Sequence, residues 1–253
     1  MTNVGVICKK EDKLIAGTAE QVIKDLRKKG YKVTGKNPKF VITLGGDGTT
    51  LRAARLLAKA GTPILSIHMG GVGFLTEIEL RELNEALAQI KKGRYKLDER
   101  WMIEAFTAGQ KIFALNDLVI SKRGIARVIK LEIEGIANYT ADGLIFSTAS
   151  GSTAYNLSAG GPLLVPHAKS MIISAISPHS INTRPIVIDT PVNVVLARGK
   201  EVNLTADGQQ VIQLHEGQKI LIQMSKLKTR FIRLKNYDFF GRVKDTFGFG
   251  PKS

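Results

Sequence analysis

Apolar positions along this chain fall into two textures, and the change between them divides it. Up to about residue 92, short apolar runs alternate with segments of helical period. Residues 4–7 (VGVI), 31–33, 40–44 (FVITL) and 63–67 (PILSI) read as strands. Between them, residues 18–29 put Val22, Ile23 and Leu26 on one helical face and stop at Gly30, while Ala53, Leu56, Leu57 and Ala60 mark a second helix stopped by Gly61 and Pro63. A third helix is expected over about 80–92. Strands alternating with helices across short turns predict a parallel sheet covered on both faces, with ligands bound beyond the carboxyl ends of its strands.

From Trp101 onward the signals are short and strand-like: 102–106, 112–119, 128–133, 144–146, 186–188, 192–196, 202–204, 220–224 and 231–234. Ile129, Leu131 and Ile133 alternate with Lys130, Glu132 and Glu134, the period of a half-exposed antiparallel sheet. The expected organisation is an α/β domain over 1–96, a β-rich domain over 97–234 and a tail over 235–253. Phe239, Phe240, Val243, Phe247 and Phe249 make that tail too apolar for solvent, so it is expected to pack back on a domain or on a neighbouring subunit.

Within the first part, residues 41–52 (VITLGGDGTTLR) read as strand, glycine turn and helix. Such a turn aims backbone N–H groups and a helix N-terminus at one point, which suits a phosphate. Gly45, Gly46 and Gly48 are expected to supply positive φ and close approach, with Thr49 opening the helix. Asp47 is the exception, because a carboxylate among phosphate-binding amides repels the ligand unless it takes a proton or shares a cation with it. The alternative is an Asp that only caps the helix. A dinucleotide fingerprint is half matched by Gly46 and Gly48, but Leu51 stands where a third glycine belongs and no acidic residue lies between Asp47 and Glu77. A Walker loop is absent, since Gly35-Lys36 and Gly199-Lys200 are followed by Asn37 and Glu201. A second glycine-rich turn, 68–73, follows the next strand and leads into Phe74 and Leu75.

Composition narrows the classes further. Among 253 residues, 37 Lys and Arg against 22 Asp and Glu leave a formal charge of +15, which attracts polyanions. The lysines are scattered, with few aromatics beside them, so nucleic acid is not the expected partner. No signal peptide and no membrane-length apolar run is present, and a cytoplasmic location is expected. The single cysteine, Cys8, is a core residue by its surroundings. His68, His167, His179 and His215 lack metal-ligand spacing, and no protein metal site is expected.

Residues 142–166 (DGLIFSTASGSTAYNLSAGGPLLVP) carry a second constellation. Ser147, Thr148, Ser150, Ser152, Thr153, Tyr155 and Ser158 crowd hydroxyls among Gly151, Gly160 and Gly161, which suits a polar ligand. Gly-x-Ser-x-Gly is not formed, so nucleophilic serine chemistry is not expected. Asn116-Asp117 and Asp207-Gly208-Gln209 read as turns, the second as a hairpin.

GGDGT at 45–49, GFL at 73–75, Asn116-Asp117, Asp142-Gly143, GSTAYNLSAGGP at 151–162 and DGQ at 207–209 occur in the order seen in NAD kinases, which the chain resembles over essentially its whole length. GGDG alone is shared with lipid kinases and, more loosely, phosphofructokinases; the GSTAY segment is the specific part. Ala149 and Ser150 stand where Pro and Thr are usual, and Asp117 where Glu is commoner. The resemblance implies a phosphofructokinase-like α/β N-terminal domain with a parallel sheet, a mainly β, sandwich-like C-terminal domain, and a site between them. It implies Mg²⁺-dependent transfer of a phosphoryl group from ATP or polyphosphate to the 2′-hydroxyl of the adenosine ribose of NAD, by a homodimer or homotetramer. Asp47 then resembles the general base, Gly45, Gly46, Gly48 and Thr49 the donor loop, and Phe74 the residue flanking the adenine. Asn116, Asp117, Asp142, Thr153, Ala154, Tyr155, Ser158, Asp207 and Gln209 resemble the rest of the NAD pocket. The other readings are a lipid or metabolite kinase with the same GGDG loop, and a non-catalytic nucleotide-binding module.

Overall fold

The first hundred residues run β1 (Asn3–Cys8), α1 (Lys13–Lys28), β2 (Lys32–Val33), β3 (Phe40–Leu44), α2 (Asp47–Leu57), β4 (Ile64–His68), β5 (Ile78–Glu79) and α3 (Leu83–Lys91). In this computed structural model, which describes residues 1–71, 73–124 and 128–249, β2, β1, β3 and β4 lie side by side and parallel. Val72 of the second glycine turn and residues 250–253 of the expected tail are outside the described residues. Every position of β3 is buried, as a strand covered on both faces requires. Val22 and Leu26 of α1 and Leu83 and Leu87 of α3 share one core with Val4, Ile42 and Leu65.

Two expectations about the helices change. α1 starts at Lys13, not at 18, because Asp12 caps it: its Oδ1 accepts from the amides of Leu14 and Ile15, both at 3.1 Å. α2 buries Leu51, Ala53 and Ala54 and leaves Leu56 67% exposed. Leu56 follows Ala54 by two residues, about 200° around a helix, so burying one face puts Leu56 in solvent.

The chain folds into two compact units, Trp101–Leu227 forming one, and Met1–Arg100 with Lys228–Ser253 the other. Through the second unit run β6 (Lys96–Thr107), β7 (Gln110–Ala114), β8 (Asp117–Lys122), β9 (Ile129–Ile133), β10 (Ala137–Ala141), β11 (Gly143–Ser147), α4 (Tyr155–Ser158), β12 (Met171–Ile176), β13 (Ile186–Ile188), β14 (Val192–Arg198), β15 (Val202–Ala206), β16 (Gln210–Leu214) and the start of β17 (Lys219–Arg233). One antiparallel sheet has the order β13-β12-β11-β8-β15-β16, and β10, β9, β14 and β17 form a second antiparallel set. Ile129, Leu131, Ile133 and Val194 from one meet Leu118, Ile120, Phe146 and Ile173 from the other in a single core. That is a sandwich, and the alternation over 129–134 marks its inner and outer faces correctly.

β17 leads the chain back to the first unit, where Phe231 pairs in parallel with Ile64 of β4. α5 (Phe239–Phe247) follows, capped by Asp238, whose Oδ1 accepts from the Gly241 amide at 2.9 Å. Phe239 and Val243 are buried, while Phe240 is 68% exposed. The Phe74 ring stacks on Phe247, centroids 5.5 Å apart, and tilts against Phe239 at 6.5 Å. Among the described residues no helix is long and apolar enough to cross a membrane.

Ion pairs fasten this return. Arg233 Nη1 meets Glu77 Oε2 at 2.9 Å with both side chains almost wholly buried, and Arg233 Nε meets Asp98 Oδ2 at 3.0 Å. Glu77 Oε1 also accepts from the amides of Leu234 and Lys235, at 2.8 and 3.2 Å. Removing Glu77 leaves the buried Arg233 with Asp98 alone and strips the acceptor from two amides, and breaking such a buried pair typically costs about 3–5 kcal/mol. Glu77→Ala is therefore expected to lower the unfolding free energy by about that amount in urea titration, and a loss below about 1 kcal/mol would contradict the ion-pair account.

Candidate active site

The glycine turn of the first unit has a division of labour that spacing alone conceals. Gly45 takes φ 148°, and a Cβ there would overlap Thr49 Oγ1, so only glycine suits the position. Gly46 has φ −93° and, among the described residues, open space around its α-carbon. The expectation of positive φ at all three glycines is thus corrected: neither backbone strain nor a protein neighbour requires glycine at 46. Gly46 and Gly48 are exposed at the N-terminus of α2, and Thr49 is buried with its side chain over Gly45.

Asp47 is the first residue of α2, and its carboxylate turns away from the helix it opens. Oδ2 accepts from the amide of Phe74 at 2.9 Å and Oδ1 from that of Leu75 at 3.1 Å. Gly73 lies so close that a Cβ on it would overlap the carboxylate. The residue at the cap is Gly46, with no side-chain bond, so the reading of Asp47 as a simple cap does not hold. Burial lifts the Asp47 carboxyl above the ordinary aspartate range, against the opposing pull of the Leu75 and Phe74 amides and the Arg242 charge.

In the second unit, Asp207 organises the residues before β8. It sits in the turn between β15 and β16 with φ 49°, followed by Gly208 at 62°, the paired positive values of a tight hairpin. The hairpin was legible, but the role of its carboxylate was not: Asp207 accepts from the amides of Leu115, Asn116 and Asp117 at 3.1, 2.7 and 3.3 Å. The serine-rich loop packs on the same residues. Thr148 N donates to Asn116 O at 2.9 Å, and a Cβ on Gly151 would overlap that carbonyl. Three hydroxyls of the loop donate to its own backbone: Ser147 Oγ to Thr148 O at 3.0 Å, Ser152 Oγ to Ala149 O at 2.7 Å and Thr153 Oγ1 to Ser150 O at 3.3 Å. Asn116 Oδ1, in contrast, is buried with no hydrogen-bond partner among the described residues.

The predicted residues of this unit are only partly gathered. Asn116, Asp117, Asp207 and the loop from Ser147 to Thr153 converge. Asp142 precedes β11 at the end opposite Ser147, about 16 Å along the strand, and does not reach that cluster. Tyr155 and Ser158 lie exposed on α4, Ala154 is half-buried before it, and Gln209 is exposed in the hairpin turn. Asn156 was not singled out, yet it is fully buried and holds the loop: its Nδ2 donates to Ser152 O and Pro162 O at 3.2 and 3.1 Å, and its Oδ1 accepts from Ser174 at 2.8 Å. Its one visible signal was its place between glycines, since Gly161 has no room for a Cβ beside its side chain.

Asp117 stands beside Asp207 in a buried setting, and burial together with the Asp207 charge pushes its carboxyl up to about 7. Among the described residues no three His, Cys, Asp or Glu side chains gather as a metal cage. Asp47, a single carboxylate at the exposed N-terminus of α2, fits a divalent cation carried by phosphates, since Mg²⁺ takes only one or two protein carboxylates in such sites.

Residues 5–95 match the family described as the ATP-NAD kinase N-terminal domain, and residues 115–234 the one described as the ATP-NAD kinase C-terminal domain. The chain belongs to the NAD kinase family. It is 44% identical to an NAD kinase of Moorella thermoacetica over 81% of this chain and 70% of that one. An NAD kinase of Aquifex aeolicus is 36% identical over 91% of this chain and 92% of its own. Among solved structures, an NAD kinase from Archaeoglobus fulgidus in complex with ATP superposes with a TM-score of 0.77 at 25% identity, covering 96% of this chain and 99% of that one. Yeast NADH kinase complexed with NADH gives 0.88 over 100% of this chain and 89% of its own, at 20% identity, a likeness of fold. As an NAD kinase family member the chain is a phosphotransferase.

Two predictions follow from this geometry. Gly45→Ala, which meets both a forbidden φ and Thr49, is expected to lose about 1–3 kcal/mol of stability; Gly46→Ser, a good N-cap in open space, is expected to keep the melting temperature while raising KM for the phosphate donor. Equal destabilisation of both variants would refute the assignment. The second concerns pH. Because Asp117 is raised in the folded state from 3.8 to about 7, its contribution to stability is full below pH 4 and is lost as pH rises through 7. Asp117→Asn, permanently neutral, should therefore gain on the wild type by roughly 2–3 kcal/mol between pH 5 and pH 8 in denaturant titrations. A difference independent of pH would mean that Asp117 titrates normally.

Proposed function

We propose that this protein phosphorylates the 2′-hydroxyl of the adenosine ribose of NAD, with Asp47 as the general base. The observation that carries the role of Asp47 is its posture: a carboxylate fixed by the amides of Phe74 and Leu75 at the mouth of an exposed glycine-rich helix N-terminus. A ribose hydroxyl is a poor nucleophile at neutral pH. As its oxygen bonds to the terminal phosphorus of the donor, the bond from that phosphorus to its bridging oxygen breaks, ADP or the shortened polyphosphate leaves with that electron pair, and the hydroxyl proton passes to Asp47, whose raised affinity for a proton makes it the better base. The amides of the glycine turn hold the donor phosphates without covalent chemistry, which is what phosphoryl transfer asks of a protein. The relatives named NAD kinase support NAD as acceptor, and the ATP bound by the Archaeoglobus protein supports a nucleoside triphosphate as donor. Polyphosphate offers the same oxygens to the same amides. A divalent cation bound with the donor, Mg²⁺ by its phosphates, would neutralise charge at the transferred group.

In the second unit, Asn116 and Asp117 supply the polar groups for the dinucleotide. The unpartnered Asn116 Oδ1 is an acceptor that a ribose hydroxyl would satisfy. Asp47→Asn keeps the size of the side chain but removes the base. Turnover, read as NADP by an NADP-specific dehydrogenase, is expected to fall about 10²- to 10⁴-fold while NAD still binds. Near-normal turnover would end the assignment of Asp47 as base, and absence of NADP from the wild type with ATP or polyphosphate would end the activity itself.

A further inference from the structure

The two peptide groups that donate to Asp47 are each anchored at their other end by a side chain from the C-terminal segment. The peptide whose N–H belongs to Phe74 carries the carbonyl of Gly73, and Arg242 Nη1 donates to that oxygen. The peptide whose N–H belongs to Leu75 carries the carbonyl of Phe74, and Tyr237 Oη donates to it at 3.0 Å. Arg242 Nη1 reaches Thr76 O as well, at 3.0 Å, and Arg233 Nη1 reaches Leu75 O at 3.3 Å. A trans peptide is planar, with C=O and N–H on opposite edges, so fixing the oxygen fixes the direction in which the N–H points. A guanidinium on the oxygen also polarises the whole group and strengthens the bond its N–H makes.

We propose that Arg242 and Tyr237 are positioning residues for Asp47, holding residues 73–76 so that the Phe74 and Leu75 amides point at its carboxylate. The inference rests on the reading of Asp47 as base. Tyr237 is in turn held by cations stacked on its ring: Arg233, Arg100 and Arg242 lie 4.5, 4.8 and 5.0 Å from its centroid. Tyr237→Phe therefore keeps the stack and deletes the hydroxyl, with its bond to Phe74 O and its contact to Arg100. The charged side chain acting on Asp47 is Arg242 of α5; residues 73–76 present the amides of Phe74, Leu75 and Thr76, and α2 presents its N-terminus. Arg242 lowers the affinity of Asp47 for its proton, so losing it should raise that affinity.

The experiment measures kcat, both KM values and the pH profile of kcat for Tyr237→Phe, Arg242→Met and Arg242→Lys, with melting temperatures. A misaimed base loses rate more than binding, so kcat is expected to fall about 10- to 100-fold in Tyr237→Phe and Arg242→Met, with KM for NAD and donor within about 2-fold. The acidic limb of the profile should move to higher pH in both, and Arg242→Lys should recover part of the loss. Combined with Asp47→Asn, Arg242→Met should cost almost nothing more, because its effect passes through Asp47. Wild-type kcat in both variants overturns the proposal, as does a lower kcat with an unmoved acidic limb, which would mark a merely structural role. Should Arg242→Met fail to fold, Tyr237→Phe alone decides by the same criteria. If Asp47→Asn turns over normally the base reading has failed; if it is crippled while both positioning variants match wild type, only this inference falls.

Discussion

A carboxylate taken out of water must find donors, and the first unit is arranged around meeting that demand for Asp47. The strand–turn–helix of residues 40–57 brings Asp47 to the carboxyl end of the sheet, and the turn after β4 comes to meet it. Gly73 is glycine because the carboxylate occupies the space of its Cβ. Phe74 and Leu75 present amides, not side chains, to the site, so their contribution leaves no chemical mark in the sequence. Two separate glycine turns are thereby tied by two hydrogen bonds into one structure.

The second unit applies the same device with a different neighbour. Asp207 gathers three successive amides, as Asp47 gathers two. Burial is the largest influence on both carboxyls and raises both; the Leu75 and Phe74 amides and then the Arg242 charge oppose it at Asp47, whereas the Asp207 carboxylate stands beside Asp117. One surrounding tempers the effect of burial; the other adds to it.

Local pattern made the parallel strands legible, because β3 and β4 are continuous apolar runs between turn residues, and it made β9 legible through the alternation of Ile129, Leu131 and Ile133. It failed where polar residues interrupt a strand. β17 runs unbroken from Lys219 to Arg233 but reads as two strands, because Ser225, Lys226, Lys228 and Thr229 sit in its middle. β10 carries no large aliphatic residue, β16 sets Val211 and Ile212 side by side between glutamines without alternation, and β12, Met171–Ile176, lies in the shadow of the serine-rich loop. In the site, Asp47 and the glycines were readable from residue type and spacing. Asn156, Tyr237 and Arg242 were not: Asn156 holds carbonyls within its own loop, Tyr237 and Arg242 act on carbonyls more than 150 residues away, and a hydrogen bond to a carbonyl imposes no pattern on the residue that owns it.

The division of the chain has a consequence for how it is made. The second unit is continuous, Trp101–Leu227, and is set into the first, which is built from Met1–Arg100 and the residues from Lys228 onward. During synthesis the inserted sandwich is complete in sequence while the parallel sheet still lacks the pairing of Phe231 with Ile64 and the Arg233 pair to Glu77. Domains fold as units as they emerge, so the earlier-made portion waits for the later one. Its flank at Ile64 of β4, before the stretch that β5 covers at Ile67 and His68, is a strand edge that a nascent chain must protect until the last part of β17 arrives.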